Sequence, residues 1–87
     1  MATSKIENKY ALVSSETQIP ENSSVYVSYP PGFSESNSVV VSYWSVIDGG
    51  KFNGNNQAQA FLLPSNIRLD NKGTGGRIVK AMLFRYQ

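Results

Sequence analysis

Val39-Val40-Val41-Ser42-Tyr43-Trp44-Ser45-Val46 is β-branched or aromatic at every position except its two serines, and this run decides the fold class. Side chains of these types fit a pleated, half-buried surface and disfavour a helix. Strict alternation sets Val39, Val41 and Tyr43 against Val40, Trp44 and Val46, so both faces are apolar. The carboxyl-terminal run Arg77 to Tyr86 repeats the pattern, with Val79, Ala81 and Leu83 opposite Ile78, Met82, Phe84 and Tyr86. A strand with one wet face shows a clean apolar-polar alternation. Two strands apolar on both sides therefore predict a covered outer surface. Two covers stay open: further copies of the chain, or the long loop and amino-terminal arm of the same copy.

Outward from these runs the chain continues in short strands. Lys9 to Ser14, Ser24 to Tyr29, Gln57 to Leu63 and Ile67 to Asp70 carry strand composition. Gln18 to Ser23 connects the first two, Pro30-Pro31-Gly32 ends the second, and Pro64 stops Gln57 to Leu63. Asn71 to Gly76 reads as a tight hairpin turn, and Asp48 to Asn56 as an irregular loop. The best helix candidate, Gly54 to Leu63, bunches its apolar residues at one end and keeps no helical period. The expected fold is all-β: a small antiparallel β-sandwich, or a barrel-like variant, of about six to seven short strands. Residues 1–8 are expected to be a flexible amino-terminal arm, and residues 9–87 a single β domain.

Composition narrows the chemistry. The 87 residues include no cysteine and no histidine, which removes disulfides, thiolate nucleophiles, Cys/His metal sites and histidine-based triads. No cofactor and no metal is expected. Eight basic against six acidic residues give a net charge of +2, too small a surplus for a nucleic-acid footprint. Arg77 and Arg85 share a strand face, Lys80 takes the other, and Arg68 lies nearby, so no continuous basic stripe is expected. The carboxylates Glu7, Glu16, Glu21, Glu35, Asp48 and Asp70 all sit in polar segments that read as solvated. None forms an evident acid-base pair, and the expectation is a protein that is not an enzyme. Gly73-Thr74-Gly75-Gly76 precedes a strand, so it lacks the helix amino terminus that makes such loops cradle phosphate. The first dozen residues hold no apolar segment of signal-peptide type, and no run is long enough to insert in a membrane as a helix.

Binding has one candidate locus. Tyr43, Trp44 and Phe52 flank a loop bearing Asp48, Lys51, Asn53, Asn55, Asn56 and Gln57. A ring beside several amides and a carboxylate is the inventory of a shallow sugar site, stacking on one sugar face and bonding its hydroxyls. Trp44 equally suits a core or a subunit interface, and exposed loop amides equally suit plain solvation. By contrast Tyr29, Pro30, Pro31, Gly32 and Phe33 match turn chemistry directly and read as structural.

The stretch Val25 to Ser42, with its Tyr29-Pro30-Pro31-Gly32-Phe33 block, resembles a segment near the carboxyl end of tail-fibre proteins from phages and prophages of Gram-positive bacteria. The closing strand Ile78 to Tyr86 is similar to the last strand of those domains, and the likeness runs from about Tyr10 to Tyr86. Ser38 departs from that pattern, where cysteine is frequent, and the Asp48 to Asn56 loop has no fixed counterpart. The resemblance implies an all-β fibre-tip domain, usually trimeric, carried on the virion and binding a host-surface polysaccharide or protein. Two other functions stay open: a purely structural trimerisation cap, and a free-standing bacterial lectin-like sandwich.

Overall fold

A computed structural model describes residues 9–47, 51–53 and 57–87. Among them are seven strands and no helix: β1 (Tyr10–Ser14), β2 (Ser23–Val27), β3 (Ser38–Ile47), β4 (Lys51–Asn53), β5 (Ala58–Leu62), β6 (Ile67–Asn71) and β7 (Ile78–Arg85). They form a four-stranded sheet ordered β1-β7-β3-β4 and a three-stranded sheet ordered β2-β6-β5. Every pairing is antiparallel. The all-β expectation holds, and the arrangement is that of a small β-sandwich.

Alternation in β7 fills the space between the sheets. Val79, Ala81 and Leu83 are fully buried and meet Ile67, Leu69, Ala58 and Ala60 of the opposite sheet in one core. Ile19 and Phe33 enter that core from connecting segments. Ile19 is held there by a two-way bridge in which its amide donates to the Arg77 carbonyl and its carbonyl accepts from the Arg77 amide.

Two features differ from the sequence reading. In β3 the register against β7 jumps between Val40 and Ser42, so Val41 is the extra residue of a β-bulge. Beyond the bulge the faces exchange. Ser42, Trp44 and Val46 align with Met82, Lys80 and Ile78 on the outer face, while Val40, Tyr43 and Ser45 align with the buried Leu83, Ala81 and Val79. Val39, grouped with Tyr43 by simple alternation, therefore shares the outer face with Trp44.

The second difference is Asn71 to Gly76, which is not a hairpin. β6 and β7 belong to different sheets, and this segment carries the chain across the sandwich. Asn71 organises the crossing from a fully buried position. Its Nδ2 donates to the carbonyls of Ile19 (2.8 Å) and Gly75 (2.9 Å), and its Oδ1 accepts from the Gly73 amide (2.9 Å). The expected irregular loop also contains a strand. β4 pairs with the edge of β3 that β7 leaves free, aligning Ser45 with Asn53 and Ile47 with Lys51.

Candidate functional site

The expected sugar locus is only partly described. Asp48, Asn55 and Asn56 lie outside the described residues. Lys51, Phe52 and Asn53 form β4, at one margin of the four-stranded sheet. Trp44 sits on the outer face of the same sheet, half-buried and aligned with Lys80, one residue short of the first β3–β4 pair. Gln57 lies just before β5, where its carbonyl accepts the Lys72 amide at 2.7 Å. Its side-chain oxygen and the Arg77 guanidinium together occupy the space over Gly73, where a Cβ would run into Gln57 Oε1 and Arg77 Nε. Gln57 thus belongs to the crossover packing as well as to the margin of the loop.

The Tyr29 to Phe33 block is a structural corner. The Phe33 amide donates to the Pro30 carbonyl at 3.0 Å, with Pro31 and Gly32 as the central residues of a type II turn. Gly32 has φ of 87°, which favours glycine, and a Cβ there would also push aside the tip of Arg85, whose Nη1 would lie 2.8 Å away. Phe33 is buried beneath the turn with the Arg85 guanidinium over its ring, 5.6 Å from the centroid. Asn37 closes the corner by accepting from the Ser34 amide and donating to the Gly32 carbonyl.

Tyr29 ties this corner to the three-stranded sheet through an O–H donated to the Leu63 carbonyl at 2.6 Å. Burial, and then the Glu35 carboxylate, push its phenol above the usual tyrosine range. The sign follows directly. The folded state holds this proton more tightly, so the contribution is complete below about pH 10, the unfolded tyrosine value, and is lost as pH rises through the folded value. Wild-type stability in urea should therefore fall more steeply than that of Tyr29→Phe as pH rises above about 10. Parallel slopes for the two proteins would show that the phenol is not held by the fold.

The basic residues act locally. Arg68 pairs with Asp70 (Nε to Oδ1, 3.1 Å) and lies 4.5 Å from the Phe61 ring centroid. Asp70, read from sequence as solvated, is buried, and it also accepts from the Ser24 hydroxyl. Its carboxylate is enclosed because β2 and β5 flank β6 on both sides. Arg85 donates to the Gly32 carbonyl, and Arg77 is buried with Nε and Nη1 meeting no acceptor among the described residues. Lys80 points to the outer face. The four do not build one basic strip. The glycine turn meets an anion supplied by the chain itself, since the Gly75 amide donates to Glu21 Oε1 at 2.9 Å. Among the described residues no group of three acidic, cysteine or histidine side chains is placed to hold a metal ion.

No family model, curated protein or solved structure matches the chain. The site must therefore be read from its own geometry, and two surfaces stand out. One is the outer face of the four-stranded sheet. Its rows align Tyr10 with Phe84 and Val39, then Leu12 with Met82 and Ser42, then Ser14 with Lys80 and Trp44. Tyr10 is 63% exposed, Leu12 53%, Val39 46% and Phe84 41%. The other is a groove of about 580 Å³ between β1 and β2, which the sequence reading missed. Its walls come from edge strands of different sheets, so no local run of residues announces it. The only available signal was the parity of β2, which turns Tyr26 away from the core side of Val25 and Val27.

Proposed function

We propose that this chain is the tip domain of a phage or prophage tail fibre, assembled as a homotrimer and binding a host-surface glycan or receptor. The observation that carries the reading is the outer face of the four-stranded sheet. Lys80 is the one charged residue in its three aligned rows, which otherwise present aromatic, aliphatic and serine side chains. With rings of about 200 Å² each, Tyr10, Phe84, Leu12, Val39 and the bulged Val41 together leave about 500 Å² of largely apolar surface in water. That is in the upper part of the range of about 300–600 Å² for the largest patch on a soluble monomer, and somewhat below the roughly 800 Å² that each partner contributes to a standard interface. Packing against like faces of other copies removes it from water. The trimer is what the resemblance implies, and the face supports association.

Light scattering after size exclusion tests this. The expected mass is about three times the 9.6 kDa of one chain. The double variant Leu12→Glu, Phe84→Glu should run as a monomer with its β circular dichroism retained, since buried like charges are not tolerated at an interface. A wild-type mass of 9.6 kDa at micromolar concentration would overturn the assembly.

A second reading, a structural cap without host binding, draws support from the Tyr29 to Phe33 corner, where Pro30 to Phe33 build the turn and Tyr29 anchors it to the Leu63 carbonyl. Replacing Asp48, Asn55 and Asn56 together separates the two. Loss of cell binding with the trimer intact favours recognition by that loop, whereas binding that survives these changes and surface changes elsewhere on the domain, and is lost only on removal of the whole domain, favours the cap.

A further inference from the structure

The two sheets pack through β3, β5, β6 and β7, and the margin bounded by β1 and β2 is open. The groove there has Val13 and Val27 among its lining, with Val13 buried and Val27 half-buried. Ser14 and Ser28 supply hydroxyls, Tyr26 supplies a ring 59% exposed, and Glu16 supplies an exposed carboxylate. The Ser14 hydroxyl accepts from the Glu16 amide at 3.0 Å, which leaves its own proton to donate.

The backbone adds further groups. The Arg85 amide donates to the Lys9 carbonyl and the Ser15 amide to the Val79 carbonyl. Those bonds place the odd-numbered residues of this segment on the β7 side. In an antiparallel ladder the alternate residues, here Leu12 and Ser14, then direct their N–H and C=O to the open edge.

We propose that this groove is a binding site for a neutral or amino-bearing oligosaccharide of the host surface. The inference rests on the glycan-binding reading above and gives it a location other than the Asp48 to Asn56 loop. Stacking on Tyr26 suits the C–H face of a sugar ring, and Glu16 with the Leu12 and Ser14 carbonyls accepts from vicinal hydroxyls. The volume falls within the range of small-molecule sites, about 300–1,000 Å³. Charge sets the class. Among the described residues Glu16 is the one side chain lining the groove that is charged at neutral pH, and Arg68, the β6 residue aligned with Tyr26, is paired with Asp70. A carboxylated or phosphorylated polymer meets net repulsion there. An extended peptide fits less well, because the edge facing the groove offers only Leu12 and Ser14 before the chain turns at Glu16, whose φ is 67°. Three grooves on one trimer convert a weak single-site affinity into useful avidity.

The test uses the intact chain. A glycan array of neutral, amino and acidic oligosaccharides selects a probe, and amide chemical shifts are then followed as the best neutral trisaccharide is titrated. Shifts at Leu12, Ser14, Tyr26 and Ser28 are expected, and Tyr26→Ala should weaken binding about five- to tenfold with the oligomer mass unchanged. Glu16→Gln should weaken neutral binding and admit acidic analogues. Acidic glycans as the preferred class, or a neutral glycan that binds equally well to Tyr26→Ala, would overturn the groove and leave the glycan-binding reading standing. Shifts at these four residues with a strand-forming heptapeptide, and with none of the glycans, would make the groove a peptide site. No response to any glycan or to the peptide would overturn both the groove and glycan recognition.

Discussion

Leu83→Ala is expected to lower the free energy of unfolding by about 2–5 kcal/mol, the range for a leucine removed from a close-packed interior. Leu83 is fully buried at the centre of β7, aligned with Ala11 on β1 and Val40 on β3. On the inner face of its own strand it is flanked by the small Ala81 and by Arg85, whose guanidinium is engaged over the Phe33 ring, so little is available to collapse into the space. A domain of this size has about 4–13 kcal/mol in total, so the loss would leave a sizeable unfolded fraction. Leu12 offers an internal comparison, one strand away and on the opposite face. At 53% exposure, Leu12→Ala should cost under about 1 kcal/mol in an isolated chain. In an assembled oligomer the same change should cost more, and the cost should vary with protein concentration. Urea titrations of both variants at two concentrations read out the two faces separately. A Leu12→Ala effect that is small and independent of concentration would argue against a covered outer face.

Asn71→Ala is expected to be comparably damaging although it removes no apolar contact. The side chain satisfies two carbonyls and one amide at the crossing between the sheets, and it is fully inaccessible to water. Each buried group left without a partner costs about 1–3 kcal/mol, so a total of several kcal/mol follows unless water fills the space. The more informative change is Asn71→Asp, which keeps the shape. A carboxylate would then face the Ile19 and Gly75 carbonyls without a proton to donate. The folded protein would hold a proton there more tightly than the unfolded chain does, so the stability of Asn71→Asp should recover as pH falls. Equal stability of Asn71→Asp and wild type at neutral pH would show that the donated bonds carry little.

Much of the architecture was legible because strand formation is a local matter. β-branched and aromatic runs placed β1, β3 and β7 within a residue or two of their observed bounds, and Pro30-Pro31-Gly32 announced its own turn. β4 was not legible, because Lys51-Phe52-Asn53 has no strand composition of its own and pairs only because β3 offers it an edge. The bulge at Val41 was hidden for a related reason. Alternation assumes one residue per register step, and only the partner strand fixes where a step is missed.

The candidate site divides along the same line. Residue types pointed to an aromatic and amide-rich locus around Trp44 and the following loop, of which the structure places Trp44, Gln57 and the backbone of β4. The groove at β1 and β2 had no such signature, since Ser14, Glu16, Tyr26 and Ser28 become neighbours only when the sheets stack.

By itself the sequence determined the strand class, the exclusion of histidine and cysteine chemistry, and the two apolar faces of β7. Those follow from side-chain type and from a period of two, which are properties of single strands. Only the tertiary structure decided which face is core. Val79, Ala81 and Leu83 won because the three-stranded sheet, with its Ile67 and Leu69, lies on that side. The opposite face, with Met82 and Phe84 beside Lys80, was left exposed because the described residues form two layers and no third lies over it.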